Sequence, residues 1–523
     1  MSEVARKLSP RILAPIFVAV LFVSSVLTAA VTPPFQSPDE FAHVQRAYLL
    51  SKGTVLLDAS GGMIDTGLVS YMDVYQRYPF HPHRKVSPEI GASAENIEWS
   101  GTKAFVFNPT AAYFPVAYAP QAFGLAVGEA LSLPIDTSYR LARFFALLAS
   151  LGLLLLAFRI FDPPLIVMGL LIIPMSLFQI SSASLDGVAN STAILAISAF
   201  TRAVVDKRAT RPWVLWILCA SVFTVVASRE YLAPLLLLVF GAFHFTRDRK
   251  YIFAGLFLAC IIAAWVWVAM ASAFAPSPSG LTLSEGLAFY ATHPLLLAEV
   301  FLRTLADDFL FYAASFVGIL GWLDTPLRMI DYAIFCVLIL SLLVASLRFR
   351  GAAGTRGARA LLVTSSIASI LIVFLWMLIA WTQHPASTIL GIQGRYFFVP
   401  VAMVAYALAF GRTSSRKPGS RRLWGILVLV VLVVYSVATT TQALSKRYDV
   451  STKYLEASHT ASMTTEPQYG NLVTGRIAEP SFVAKGGEGW WASRDYSYNE
   501  GVAIGSDYVR VRSVDGSVYV YPW

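Results

Sequence analysis

Long stretches of uncharged, apolar residues recur along this 523-residue chain, and nothing else constrains its fold as much. A run of about 18 or more such residues is long enough to cross a bilayer as a helix, where the backbone must satisfy its own hydrogen bonds. We read about eleven, near 11–31, 137–158, 164–182, 186–202, 212–228, 231–246, 251–274, 330–347, 360–381, 395–411 and 423–443. Only 14% of the residues are charged, against about 25% in a soluble domain. The expected fold is an all-α polytopic membrane protein.

Charge placement orients it. The net charge of +9 is concentrated in short connectors between apolar runs. These hold Arg202, Lys207, Arg208 and Arg211; Arg247, Arg249 and Lys250; Arg348, Arg350, Arg356 and Arg359; and Arg412, Arg416, Lys417, Arg421 and Arg422. The positive-inside rule puts all four clusters in the cytoplasm. This explains the excess charge without nucleic acid, which is not an expected partner. The basic start MSEVARKLSPR leads into a first run that is long for a signal peptide, so it reads as a retained span with a cytoplasmic N-terminus.

The segment 113–133 is apolar, but counting it as a span would move every later basic cluster outside. With Pro115, Pro120 and Glu129 it reads as an interfacial helix. Three regions then face outward: a first loop at 32–136, a second at 275–329 with an amphipathic stretch around Ser284–Leu305, and a tail from 444. The chain thus divides into a membrane domain, 1–443, and a small β-rich extracytoplasmic part, 444–523, whose DYVRVRSVDGSVYVYPW alternates and carries an Asp515–Gly516 turn signal. Cys219, Cys260 and Cys336 lie inside apolar runs and suggest neither a disulfide nor a metal site.

Ionisable residues avoid mid-span positions and gather at the outward ends. Asp39, Glu40 and His43 follow the first span; Asp186 opens a later one; Arg229 and Glu230 join two others; Trp322 and Asp324 precede the eighth; His384, Gln393, Arg395 and Tyr396 lie between the ninth and tenth. A translocation path would need charge at depth, whereas chemistry at a membrane surface uses such a rim. Asp39 is the candidate general base, with Glu40 as support. His43 lies four residues on, on the same helical face. Arg395, after Gly394, is the stronger phosphate candidate, since a guanidinium forks onto phosphate oxygens and glycine allows close backbone approach. Arg229 is a second candidate. Trp322 and Tyr396 can stack on a sugar face. His81 and His83 form a lone HxH pair, weak as a metal site. No P-loop, dinucleotide fingerprint, HExxH or nucleophile elbow is present.

PPFQSPDEFAHVQRAYLLSKG, SFVGILGWLDTPL and GIQGRYFFVP together resemble the domain-of-unknown-function 2142 family of bacterial multispan proteins. That family is similar in layout to GT-C glycosyltransferases. The resemblance implies a polyprenyl-phosphate-linked sugar donor, a glycan, lipid or protein acceptor, and a bacterial inner-membrane location. It also implies an acidic base in the first outer loop, at Asp39 or Glu40, and interfacial helices over about 45–133. Some relatives need a divalent cation; no cofactor is otherwise expected. Several relatives carry Lys at the position of Arg229, a departure. Two other classes fit less closely: a flippase or transporter of lipid-linked sugars, and a noncatalytic envelope scaffold.

Overall fold

The computed structural model describes residues 10–57, 61–81, 84–272, 281–347, 355–409, 420–448, 501–504, 508–512 and 518–522. It opens with α1 (Pro10–Val31). The first long connector then folds into a module of α2 (Glu40–Ser51), β1 (Gly61–Asp65), α3 (Thr66–Gln76), α4 (Pro88–Glu95), β2 (Lys103–Phe107) and α5 (Ala119–Ala130). Polar residues start its helices: the Asp65 carboxylate accepts from Gly67 N at 2.8 Å, and Ser87 Oγ from Ile90 N at 3.3 Å. β1 and β2 pair antiparallel, Gly61 opposite Phe107 and Asp65 opposite Lys103. Aromatic residues fill the module's core, with Phe35, Tyr48, Tyr71, Tyr118 and Tyr139 all buried.

The bundle continues with α6 (Ile135–Ile160), α7 (Leu165–Ile172), α8 (Pro174–Ile180), α9 (Asp186–Asp206), α10 (Pro212–Val226), a turn at Glu230–Leu235, α11 (Leu236–Thr246) and α12 (Lys250–Ser272). Next come α13 (Leu283–Thr292), α14 (Pro294–Gly318), a two-residue ladder of β3 (Ile319–Leu320) with β4 (Thr325–Pro326), α15 (Met329–Ser346), α16 (Arg356–Trp376), α17 (Phe398–Ala409) and α18 (Ser420–Tyr448). Of these, α1, α6, α9, α12, α15, α16 and α18 are long and apolar enough to cross a membrane. The runs around 212–226, 230–246 and 394–409 form shorter apolar helices. α9 is the central element, 83% of its apolar window being buried, whereas α12 is peripheral at 22%.

Two features depart from a reading by apolar runs. The stretch at 164–182 is not one helix: α7 and α8 meet at Ile173, whose ψ of 153° is extended. Pro174 has no N–H to continue the helix, its ring would strike the preceding turn, and it pushes the residue before it out of the α region. In the other direction, α14 runs 25 residues to Gly318, well past the amphipathic stretch expected to end near Leu305.

α5 has 12 residues, about 18 Å of helix, and continues directly from a one-turn helix at Pro115–Tyr118. It lies directly on α6, because a Cβ at Gly124 would sit 2.4 Å from Ala142 N and one at Gly128 2.1 Å from Ser138 Oγ. This small-xxx-small pair sets the close contact.

The end of α18 is clamped by the first module. Lys85 Nζ donates to Arg447 O at 2.9 Å, and Val86 N donates to Tyr448 O at 3.0 Å. Arg447 in turn donates to Arg84 O, Tyr78 O and the Asp324 carboxylate at 2.8–2.9 Å. Beyond it, β5 (Gly501–Ile504), β6 (Tyr508–Arg512) and β7 (Val518–Pro522) form an antiparallel sheet. The expected turn at Asp515–Gly516 lies outside the described residues, as does His83.

Candidate functional site

The segment joining α1 to α2 has two non-glycine residues in the left-handed region, Phe35 at φ 62° and Asp39 at φ 61°. Such a conformation costs roughly 1–2 kcal/mol per residue and persists where the surroundings enforce it. Phe35 is held on all sides. Its N–H donates to Tyr139 Oη at 3.2 Å, its carbonyl accepts from Trp322 Nε1 at 3.0 Å, and its ring stacks on Phe41 at 4.8 Å.

Asp39 stands at the start of α2 but makes no side-chain cap. Its carboxylate instead takes Arg395 Nη2. Arg395 Nη1 also donates to Asp186 Oδ2 at 3.2 Å and to Pro38 O at 3.3 Å. Asp186 is completed by Gln179 Nε2 at 3.0 Å and by Arg229 Nη2 on its other oxygen. Asp39, Arg395, Asp186 and Arg229 thus form one chain of alternating charge, drawn from four distant stretches of sequence. Pairing and hydrogen bonding offset the desolvation cost of burying such ionised groups.

The two carboxylates are not equivalent. The Asp186 side chain is 9% exposed and the Asp39 side chain 49%. Burial works against an Asp39 anion, but the Arg395 guanidinium, through its charge and its hydrogen bond, acts together with His43 to hold the carboxyl below its ordinary range. His43 is fully enclosed. Its Nδ1 shares a hydrogen bond with Tyr118 Oη at 2.9 Å. Burial, reinforced by the Arg229 charge, pushes its pKa down to about 4, so the ring is neutral near pH 7.

Glu40 takes a different role from its neighbour. It is fully buried, accepting from Tyr139 Oη at 2.8 Å, Ala183 N at 2.6 Å and Ser37 N at 3.1 Å. It anchors α2 to α6 and to the turn before α9.

Gly394 is required for packing: a Cβ there would lie 2.1 Å from Phe316 N and 2.4 Å from Tyr312 O on α14. The close approach expected at this glycine is therefore made to α14, and it carries the one-turn helix Gly394–Phe397 that presents Arg395. Tyr396 lies beneath the Arg395 guanidinium at 5.4 Å and near the Tyr231 ring at 5.9 Å.

The other expected residues do not all converge. Trp322 does approach the site, through its bond to Phe35 O and its rings' contacts with Phe41 at 5.8 Å and Phe80 at 5.5 Å. Asp324 is occupied by Arg447 and by the Thr325 hydroxyl at 2.9 Å. His384 belongs to an aromatic group with Phe289, 4.5 Å away edge-on, and Tyr290, whose hydroxyl is 3.3 Å from Nδ1. Gln393 is buried beside Arg395.

A cavity of about 60 Å³ adjoins the ion-pair chain. Arg229, Glu230, Tyr113, Tyr231 and Tyr396 line one part of it, and Trp376 and Met377 another. Met377 begins a wide π turn, Met377–Trp381, that ends α16; such turns recur at functional sites. Of these tyrosines, Tyr396 was expected at the site from the sequence; Tyr113 and Tyr231 were not read as site residues, and only the proximity of Tyr231 to Arg229 in SREYLAP hinted at it. Around the same centre, Gln36 Oε1, Ser37 Oγ, His43 Nε2, Gln393 Oε1 and Arg395 Nε are buried without a partner in the protein. Buried polar atoms in native folds nearly always find partners, so this cluster marks a place built for a polar ligand or ordered water.

The donor set suits an anion better than a cation. The Asp39 and Asp186 carboxylates are both committed to guanidiniums, and two buried arginines would repel a divalent ion. No group of three or more His, Cys, Asp or Glu among the described residues could hold a metal ion.

No curated protein and no solved structure matches the chain. Residues 22–405, well over half of the chain and spanning α2 through Arg395, match the family described as "Predicted membrane protein (DUF2142)", and the chain belongs to that family of membrane proteins.

Proposed function

We propose that this protein is a membrane glycosyltransferase of GT-C type, moving a sugar from a polyprenyl-phosphate donor to a cell-envelope acceptor at the outer face of the bacterial inner membrane. The observation that carries the reading is the Asp39–Arg395 pair: a half-exposed carboxylate on strained backbone, joined to a buried guanidinium beside a tyrosine-lined cavity.

In this reaction Arg395 and Arg229 receive the donor phosphate, their forks matching its oxygens. The acceptor hydroxyl approaches Asp39, which takes its proton as the acceptor oxygen bonds to the anomeric carbon. The bond from that carbon to the phosphate oxygen breaks, and the lipid phosphate leaves with the electron pair. The guanidiniums stabilise that developing charge. Tyr231 and Tyr396 supply ring faces for the sugar.

The layout that accompanies this reading has eleven crossings. The seven long helices contribute seven; α7 with α8, α10, the 230–246 helix and the 394–409 helix contribute four. The N-terminus is then cytoplasmic and the ion-pair chain extracytoplasmic. The gathering of the chain's ionisable groups at helix ends favours surface chemistry over a flippase path.

The test is complementation of a strain lacking the gene, with profiling of its envelope glycans. Wild-type protein restores the missing glycan, while Asp39→Asn and Arg395→Ala, at equal membrane abundance, do not. Full restoration by both variants would reject the assignment.

A further inference from the structure

Tyr113 lines the cavity beside the ion pairs; its neighbour Phe114 lines a different and larger space. This groove, of about 390 Å³, runs between the end of α2 and the face of α5. Leu50 and Val55 form one wall, and Ala119, Ala122 and Ala126 open the other. The alanines recur at i, i+3 and i+7, so they share one helical face. The one hydroxyl on the lining, Ser51, is already spent on Tyr48 O at 2.6 Å. The surface therefore offers almost nothing to water and fits hydrocarbon.

Its rim is apolar as well: Phe123 is 55% exposed and Val116 49%. Contiguous exposed apolar surface of this kind marks a contact with something apolar. On its Phe114 side the groove abuts the helix bundle. The Phe114 ring meets Phe223 at 4.8 Å and Trp265 at 4.7 Å, and Trp265 Nε1 donates to Ala112 O at 3.1 Å. Trp265 belongs to α12, the most outward of the long helices, whose Trp267 is 78% exposed.

A charge lies close by. Arg46 is fully buried and donates only to carbonyls, those of Thr54 at 3.2 Å, Val55 at 2.6 Å and Tyr113 at 3.5 Å. Its Nε has no partner, and no carboxylate among the described residues pairs with it. Lys52 at the rim is neutralised by Glu129. The Arg46 charge is thus not neutralised by contact, which favours an anionic headgroup nearby.

We propose that this groove is a binding site for a hydrocarbon chain of an anionic membrane lipid, supplied by the leaflet that borders α12. Such a site stands whether or not Asp39 acts as a base, so its test reads lipid contact and not sugar transfer.

The full-length protein is reconstituted in phosphatidylethanolamine–phosphatidylglycerol vesicles containing phosphatidylglycerol with a photoreactive diazirine in one acyl chain. After irradiation, lipid adducts are mapped by peptide mass spectrometry. Adducts are expected on the peptide carrying Phe114 to Phe123 and not on that of α4. Ala126→Trp, which fills the groove, abolishes them, and Phe123→Asp, at an exposed rim position, reduces them. Adducts around Trp216 and Trp267 persist in both variants, showing that the bundle is intact. Asp39→Asn labels like wild type. A zwitterionic phosphatidylcholine probe labels more weakly. Groove labelling no stronger than that of α4, or unchanged in both groove variants, would overturn the site; equal labelling by the zwitterionic probe would overturn its anionic preference.

Discussion

Arg395 closes an ion pair with Asp39 across 356 positions of sequence. The same guanidinium reaches Asp186, so one side chain ties the start of the first module to the central helix. The proposed sugar transfer turns on how that guanidinium is shared.

The neighbours Asp39 and Glu40 are expected to fail differently. Asp39→Asn should lower transfer by roughly 10²- to 10⁴-fold, the range of a lost general base, with a smaller loss of thermal stability than Glu40→Gln, because the Asp39 carboxylate is half exposed. Glu40→Gln should cost about 2 kcal/mol or more, because three donors lose a charged acceptor. Melting curves in detergent, set beside glycan restoration, separate the two. A stable Glu40→Gln with lost function would reverse the roles.

Asp186→Asn leaves Arg229 and Arg395 buried against one carboxylate fewer. Removing one partner of a buried pair typically costs about 3–5 kcal/mol. The single variant should be scarce in the membrane, and Asp186→Asn with Arg229→Gln should recover part of the loss. Quantitative immunoblotting and melting temperatures of the two variants check this.

His43 sets a pH dependence. Its pKa is depressed in the folded protein, from 6.5 to about 4. Between those values the unfolded chain binds a proton that the folded chain does not, so stability falls as pH drops from about 6.5 to about 4. The contribution is about 3 kcal/mol in full. Asp39 acts in the same direction, at the acid end: its depressed carboxyl contributes stability that is lost once pH falls below the ordinary carboxylate range. His43→Gln should flatten the melting-temperature profile between pH 6.5 and 4, and an unchanged slope would place the titration elsewhere.

Gly394→Ala inserts a methyl against the backbone of α14, 2.1 Å from Phe316 N. Backbone does not yield as a side chain does, so the one-turn helix must shift and Arg395 with it. Loss of function together with a lower melting temperature is expected. Gly91→Ala, with nothing within 4 Å of its Cβ, is the control.

Much of the membrane architecture was legible along the chain, because hydrocarbon leaves a local signature. Each apolar run became a helix or a helix pair. The break at Pro174 was also local, and could have been read from the proline itself. The strands β1 and β2 and the extension of α14 to Gly318 were not visible, since pairing across the module and packing on a bundle override local pattern.

The site divides in the same way. Sequence by itself determined which residues are chemically able and that Asp39, Asp186, Arg229 and Arg395 fall at helix ends, because charge is expelled from mid-span. Only the tertiary structure decided which of them meet. It gave Glu40 to Tyr139 and Ala183, Asp324 to Arg447 and His384 to Tyr290, and it left Asp39 half open beside a guanidinium. The reason is physical: desolvation makes every buried charge seek a partner, and the partner is set by the packing of distant helices, which no single stretch of sequence encodes.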